Sequence, residues 1–270
     1  MPELPEVETV RRQLHARLAG RVFRDVSVWK TGREFPAGDA FAEALRGRRI
    51  VSVDRRAKLL LWRLDDGRAL SAHLKMTGRF TFAEANSAEG KHDRVAFAFD
   101  DGTRLVWADI RKFGFLRMLD AAEMDAVLAA YGPEPLETDV AALAKRFASP
   151  AKRAVKAALL DQSVLAGVGN IYADEALHRA GIRPTRAVRR LTAAERLRLA
   201  KAVRAILAES LAQRGTSAND YVDTDGASGG FLGLLRVYGR KGEPCRSCGG
   251  PIRRIVLGQR GTHFCPVCQR

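Results

Sequence analysis

Four cysteines close the chain as two C-x-x-C pairs, Cys245/Cys248 and Cys265/Cys268, with sixteen residues between the pairs. Each pair can make one tight thiolate turn, and two such turns close a tetrahedral four-thiolate site that leaves no ligand position open for water. The spacing predicts one structural Zn2+, and no other cofactor is expected. A redox C-x-x-C would need a thioredoxin-like strand–helix–strand context that this tail lacks. Gly249-Gly250 and Gly258 suit a β-hairpin between the two knuckles, and the tail holds too few apolar residues to fold without the metal. Arg253, Arg254, Arg260 and Arg270 make it a basic finger.

The opposite end of the chain offers a different reagent. It begins Met1-Pro2-Glu3-Leu4-Pro5-Glu6, and a small second residue lets the initiator Met be removed, which would expose a secondary amine. An α-amino group titrates near 8, so a useful fraction is neutral at physiological pH. Such an amine attacking a sugar aldehyde carbon gives an iminium, a ready electron sink. Glu3 and Glu6 stand beside it, and a carboxylate whose pKa is lifted by burial could shuttle the proton. The plain alternative is that Pro2 starts a helix whose positive end the acids favour. Six residues do not decide between them.

These residues need elements to position them. Val7, Val10, Leu14 and Leu18 recur at spacings of three or four and Gly20 follows, which predicts a helix over residues 5–18. From Arg21 to Leu119 the pattern changes to short β-rich runs: Val22-Phe23 with Val26–Val28, Ile50–Val53, Leu59–Trp62 and Val95–Phe99. Asp65-Asp66-Gly67 and Asp100-Asp101-Gly102 read as hairpin turns, so a β-sandwich or barrel is expected. Tyr131-Gly132-Pro133-Glu134-Pro135 reads as a linker, and residues 138–213 carry Ala, Leu and Arg at helical period. A run from Val155 to Leu165 leads into Gly167-Val168-Gly169-Asn170, with Asn170 expected to cap a helix from Ile171. Residues 216–230 are polar, Gly-rich and aperiodic, and read as a mobile loop. The fold class is thus α+β and multidomain: residues 1–134 a β domain led by a helix, 135–236 helical with the loop, 237–270 the finger.

Composition bounds the partner. The 270 residues carry a formal net charge of +15, and 36 of the 46 basic residues are Arg, whose planar fork grips phosphate with two hydrogen bonds. A polyanion is expected, although charge alone also fits a soluble protein from an Arg-rich proteome. There is no apolar run of about 18 residues for a membrane span, and the first dozen residues carry Glu3, Glu6 and Glu8, unlike a signal peptide. The expected location is the cytoplasm, where thiols persist as ligands.

Pro2-Glu3-Leu4-Pro5-Glu6-Val7-Glu8-Thr9, Gly167-Val168-Gly169-Asn170-Ile171-Tyr172-Ala173, and Gln259-Arg260-Gly261-Thr262 ahead of Cys265 together resemble the bacterial formamidopyrimidine-DNA glycosylases, along the whole chain. The resemblance implies an N-terminal β-sandwich, a helix–two-turn–helix domain and a zinc finger. It implies a bifunctional base-excision-repair enzyme that removes 8-oxoguanine and ring-opened purines, then cleaves the strand by β,δ-elimination. Its partner would be double-stranded DNA containing oxidised purines or abasic sites, handled as a monomer. Pro2 matches the Schiff-base nucleophile and Glu3 the proton donor. Lys58, in Arg55-Arg56-Ala57-Lys58-Leu59, matches a Lys that assists elimination and contacts phosphate; otherwise it would be ordinary edge protection. Arg260 matches the finger residue that acts late in δ-elimination, and would otherwise be one more phosphate contact.

A base must leave the duplex before an amine can reach its sugar carbon, and the vacated stack must be filled. His73-Leu74-Lys75-Met76 and Asp109-Ile110-Arg111-Lys112-Phe113-Gly114 resemble the family's two intercalating loops, with Met76, Arg111 and Phe113 inserted. At anonymous strand ends Met76 and Phe113 would be core residues, a reading that the flanking Lys75, Arg111 and Lys112 weaken. Gly167 and Gly169 permit close backbone approach, and the helix start at Asn170 offers amides to a phosphate. His92, Lys152, Arg153 and Lys156 are expected as further backbone contacts. Residues 216–230 correspond to the loop that closes over the everted base. An endonuclease VIII-like enzyme acting on oxidised pyrimidines shares the nucleophile, clamp and finger, but typically has Gly where this chain has Leu4. A non-catalytic nucleic-acid-binding protein would have no need of Pro2, Glu3 and Lys58.

Overall fold

Pro5, with its fixed φ, stands in the first turn of α1 (Leu4–Leu18), and the Glu6 carboxylate reaches back to accept from the Glu3 N–H at 2.7 Å. The apolar stripe expected over residues 5–18 is buried: Leu4, Val7, Val10, Leu14 and Leu18 are each 2% exposed or less. The helix ends where Gly20 adopts φ +85°. The computed structural model describes residues 1–29, 38–84, 87–218 and 220–270. Its contacts divide the chain into two compact units: residues 1–129 with 214–230, and residues 130–213 with 231–270.

The first unit is the expected β-sandwich. One antiparallel sheet has the order β1 (Phe23–Val28), β6 (Asp93–Phe99), β7 (Arg104–Asp109), β5 (Gly78–Ala83), and the other β2 (Ile50–Arg56), β3 (Leu59–Leu64), β4 (Ala69–His73), β8 (Phe115–Leu119). Aromatic side chains join the sheets: Trp62 of β3 lies 5.5 Å from Phe97 of β6 and 5.3 Å from Phe80 of β5, ring centre to ring centre. α1 packs on β2, where His15 Nδ1 accepts the Val53 N–H at 3.1 Å. Gly67 (φ +84°) and Gly102 (φ +83°) occupy the two Asp-Asp-Gly turns at the left-handed angle that glycine tolerates. Two short helices went unanticipated, α2 (Gly38–Leu45) and α3 (Ala121–Ala129).

The polar segment expected to be a mobile loop of the helical domain belongs to the first unit. It lacks periodicity but has its own hydrogen-bond frame. Thr216 bridges Gly230 across its base. Glu6 Oε1 accepts the Thr216 N–H at 2.7 Å, and the buried Asp223 accepts from Asp225 and Ala227 N–H at 3.0 and 2.9 Å.

The second unit carries α4 (Val140–Lys145), α5 (Val155–Leu160), α6 (Asn170–Ala180) and α7 (Ala193–Ala212), then the finger hairpin β9 (Arg253–Leu257) and β10 (Arg260–Phe264). α7 starts with a Thr192/Glu195 capping box, and α6 stops at Gly181, φ +69°. α6 packs against both α7 and β10. The buried Glu175 of α6 accepts three successive backbone N–H groups, from Arg236, Val237 and Tyr238 at 2.8–2.9 Å, which fixes the chain's entry into the finger. The expected cap at Asn170 falls one residue early: Gly169 is the extended N-cap and Asn170 is the first helical residue. No helix among the described residues is long and apolar enough to cross a membrane.

Candidate active site and zinc centre

In the first unit, burial surrounds the chain's start. Pro2 is buried and Glu3 is 2% exposed, set by α1 beginning at Leu4. The Met1 ammonium has its pKa lowered, chiefly by burial and further by the charge of Lys58, against the opposing pull of Glu3 and Glu6. Lys58, 7% exposed, lies in the two-residue turn joining β2 to β3, next to Ala57 at φ +53°, rather than at a strand start. Arg55 holds that turn to the helix. Its Nε donates to Glu8 Oε2 of α1 at 3.1 Å and its Nη1 to the Ala57 carbonyl at 2.9 Å. Burial pushes the Glu8 carboxyl up, but the hydrogen bonds of Arg11 and Arg12 and the charge of Arg55 outweigh it and hold the group below its usual range.

His73, at the end of β4, received no role from sequence. Burial and the charges of Lys75 and Lys58 lower its pKa to about 3, and its Nδ1 accepts the Lys75 N–H at 3.0 Å. It is therefore a neutral imidazole with Nε2 left to donate. Only its place beside the Lys75-Met76 motif could have drawn attention to it.

The two expected wedge loops follow β4 and β7. Phe113 is 53% exposed and Met76 half-buried, so Phe113 is not a core residue. The exposed Arg111 guanidinium lies 4.7 Å from the Phe113 ring centre. His92 is half-buried just before β6.

In the second unit the four cysteine sulfurs lie within 4.8 Å of one another. Cys245 and Cys268 are 3.9 Å apart, and Cys248 and Cys265 3.4 Å. Zinc–sulfur bonds of about 2.3 Å place tetrahedral sulfurs about 3.8 Å apart, so the donor set fits Zn2+. Ser247 and Cys268 N–H groups donate to Cys245 and Cys265 sulfurs, the polarity that favours thiolates. The hairpin above the knuckles turns through Gly258 (φ +54°) and Gln259 (φ +60°), which presents the exposed Arg260 at the first position of β10.

Lys156, expected at the DNA backbone, is corrected here. Its side chain is 1% exposed and ion-paired with Asp174 of α6 at 2.7 Å; its Nζ also donates to Thr262 Oγ1 at 2.8 Å and the Gly261 carbonyl at 3.1 Å. Burial turns it from a phosphate contact into a brace between α5, α6 and β10. Asn170 Nδ2 joins the brace by donating to the same Gly261 carbonyl at 2.9 Å. Lys152 and Arg153 do lie exposed, Arg153 on Asp161 at 2.7 Å. Gly167, at φ +78°, sits in the left-handed region just ahead of α6.

Three family models match the chain: the formamidopyrimidine-DNA glycosylase N-terminal domain over residues 1–116, its H2TH domain over 131–221, and the zinc finger found in FPG and IleRS over 242–270. The formamidopyrimidine-DNA glycosylase of Herpetosiphon aurantiacus is 47% identical over the full length of both chains. The chain belongs to the formamidopyrimidine-DNA glycosylase family. The family's Geobacillus kaustophilus member is 45% identical, again over both full lengths. Among solved structures, Lactococcus lactis Fpg in complex with an abasic site containing DNA superimposes with a TM-score of 0.91 at 33% identity, covering 99% of each chain. A mutant of that formamidopyrimidine-DNA glycosylase with a Fapy-dG containing DNA gives the same TM-score at 33% identity and 100% coverage.

Proposed function

We propose that this chain is a bifunctional DNA glycosylase and abasic-site lyase of base excision repair, which excises oxidised purines through an N-terminal proline Schiff base. The observation that carries the reading is the buried start of the chain, with Pro2 and Glu3 enclosed and Lys58 close enough to depress an amine. Once Met1 is removed, the Pro2 nitrogen attacks C1′ of the damaged nucleotide. The N-glycosidic bond breaks and the base leaves; the Pro2 nitrogen gives up its proton and the C1′–O4′ bond opens as O4′ is protonated, which leaves C1′ as an iminium, with Glu3 handling the proton needed by the sugar oxygen or the departing base. The resulting iminium draws electrons from C2′, so loss of the C2′ proton expels the 3′ phosphate and a second elimination expels the 5′ phosphate. Lys58 assists elimination beside the neutral His73, and Arg260 acts in the second step. The four cysteines would hold Zn2+ as a structural ion that fixes the Arg260 hairpin. His92, Arg111, Arg153 and Asn170 hold the DNA, Met76, Arg111 and Phe113 fill the vacated stack, and residues 216–230 cover the everted base. The Fapy-dG and abasic-site DNA held by the Lactococcus lactis relative support this substrate class.

Borohydride added during reaction with duplex DNA containing 8-oxoguanine should trap a covalent complex, located at Pro2 by peptide mass spectrometry. Absence of trapping by chains confirmed to lack Met1 would overturn the mechanism. Faster cleavage of thymine glycol than of 8-oxoguanine would overturn the purine assignment.

A further inference from the structure

The two wedge loops are far apart in sequence, yet both are tied to one carboxylate. Asp109, the last residue of β7, is 0% exposed. Its Oδ1 accepts the Thr77 hydroxyl at 2.5 Å and the Arg111 N–H at 3.2 Å, and its Oδ2 accepts the Gly114 N–H at 2.7 Å. Thr77 Oγ1 also accepts the Arg111 N–H, at 2.9 Å, which closes a direct bond between the loops. Behind them the Arg94 guanidinium, 4% exposed, donates twice to the Asp109 carbonyl at 2.9 and 3.2 Å. Thr77 follows Met76, and Gly114 follows Phe113, so each bond of the Asp109 carboxylate lands on a residue that carries or adjoins a wedge side chain.

The backbone on both sides has been shaped to this contact. Lys75 (φ 48°) and Lys112 (φ 58°) are non-glycine residues in the left-handed region, one in each loop. A Cβ at Gly78 would stand 2.6 Å from the Leu74 carbonyl and 3.0 Å from Trp107, and one at Gly114 would stand 2.7 Å from Trp107. Both glycines therefore pack closely on the same Trp107 indole.

We propose that Asp109 is a positioning residue that joins the two loops through Thr77 into one rigid wedge, so that Met76, Arg111 and Phe113 enter the base stack together. The inference rests on the glycosylase reading above and deepens it. Filling a vacated stack costs conformational freedom if each side chain must be ordered at that moment, and a prelinked pair of loops has already lost that freedom. Asp109 needs no contact with DNA to act.

The test separates opening the duplex from chemistry. Thr77→Val removes the hydroxyl between the loops at nearly constant volume, and Thr77→Ser restores it; Asp109→Ala removes the hub. Single-turnover excision of 8-oxoguanine from duplex DNA should slow at least about tenfold in Thr77→Val and further in Asp109→Ala. Borohydride trapping on a preformed abasic site in single-stranded DNA, where no base is everted and no stack is filled, should stay within about threefold of wild type. Thr77→Ser should match wild type on both substrates. Equal losses on the two substrates, an unaffected Thr77→Val on the duplex, or a Thr77→Ser as slow as Thr77→Val would each overturn the proposal. Failure of the underlying reading looks different, because wild type itself would then leave 8-oxoguanine duplex uncut.

Discussion

Arg153 and Lys156 stand three residues apart, and the same positive charge meets opposite surroundings. Arg153 is 41% exposed on a partner, Asp161, that is 32% exposed; such a pair is worth little and can give way to a phosphate. Lys156 and Asp174 are 1% and 0% exposed, so neither can be removed without leaving the other charge buried. Lys156→Met should therefore destabilise the second unit by about 3–5 kcal/mol, and Lys156→Met with Asp174→Leu by clearly less, measured by urea unfolding. Additive losses would show that the pair does not act as a unit. His73 makes a pH prediction. Its folded pKa of about 3 lies below the ordinary 6.5, so between those values the unfolded chain binds a proton that the folded chain excludes. Stability must fall as pH drops through that window, and above it His73 contributes nothing. In His73→Gln the unfolding free energy should fall less steeply there, by at most about 1.4 kcal/mol per pH unit. At this scale the cluster of four cysteines was legible from spacing alone. The contacts of His73, Asp109 and Lys156 were not, because each is defined by partners brought close only by the fold; Thr77 and Asp109 are 32 residues apart.

Among the elements, the finger depends most on something outside its own sequence. Its small core is Val237, Cys245, Ile252 and Cys265 with Cys268 against it, so most of that core is ligand. Val256 and Val267, 66% and 55% exposed, add nothing to it. Removing Zn2+ with a chelator, or substituting Cys248→Ser, should unfold β9 and β10 and abolish DNA binding, while the hydrogen-exchange protection of the first unit's strands stays as it was. A hairpin that kept its protection without metal would contradict this. α1 and the Asp-Asp-Gly turns were legible because apolar period and turn chemistry are local signals. α2 was not, since Phe41, Ala42 and Leu45 give barely one period of burial. The start of α6 was misplaced by one residue, because an extended Gly169 rather than a polar side chain supplies the cap. Residues 216–230 looked aperiodic, and hydrogen bonds to Glu6 and Asp223, which no periodicity reports, hold Thr216, Asp225 and Ala227.

For the whole molecule, the net charge of +15 says only that a polyanion will be attracted; the placement of charges says how strongly salt will oppose it. Each phosphate neutralised releases condensed counterions and adds about 0.9 to the slope of log K against log salt. Arg111, Lys152, Arg153 and Arg260 are four exposed cationic candidates, a sum that holds whatever the arrangement of the two units. Four such contacts predict a slope near about −3.6, a loss of roughly a hundredfold in affinity between 50 and 200 mM salt. Most of the 46 basic residues would then contribute attraction at a distance without a contact of their own. Arg111→Ala and Arg153→Ala should each reduce the slope by about one. The volume-matched Lys156→Met removes an equal charge from a group that is 1% exposed and committed to Asp174, so any loss of affinity there should leave the slope unchanged. Fluorescence anisotropy titrations on an abasic-analogue duplex across that salt range read all three. A Lys156→Met slope that falls by one would place its ammonium on a phosphate after all, and the brace would have to open when DNA binds.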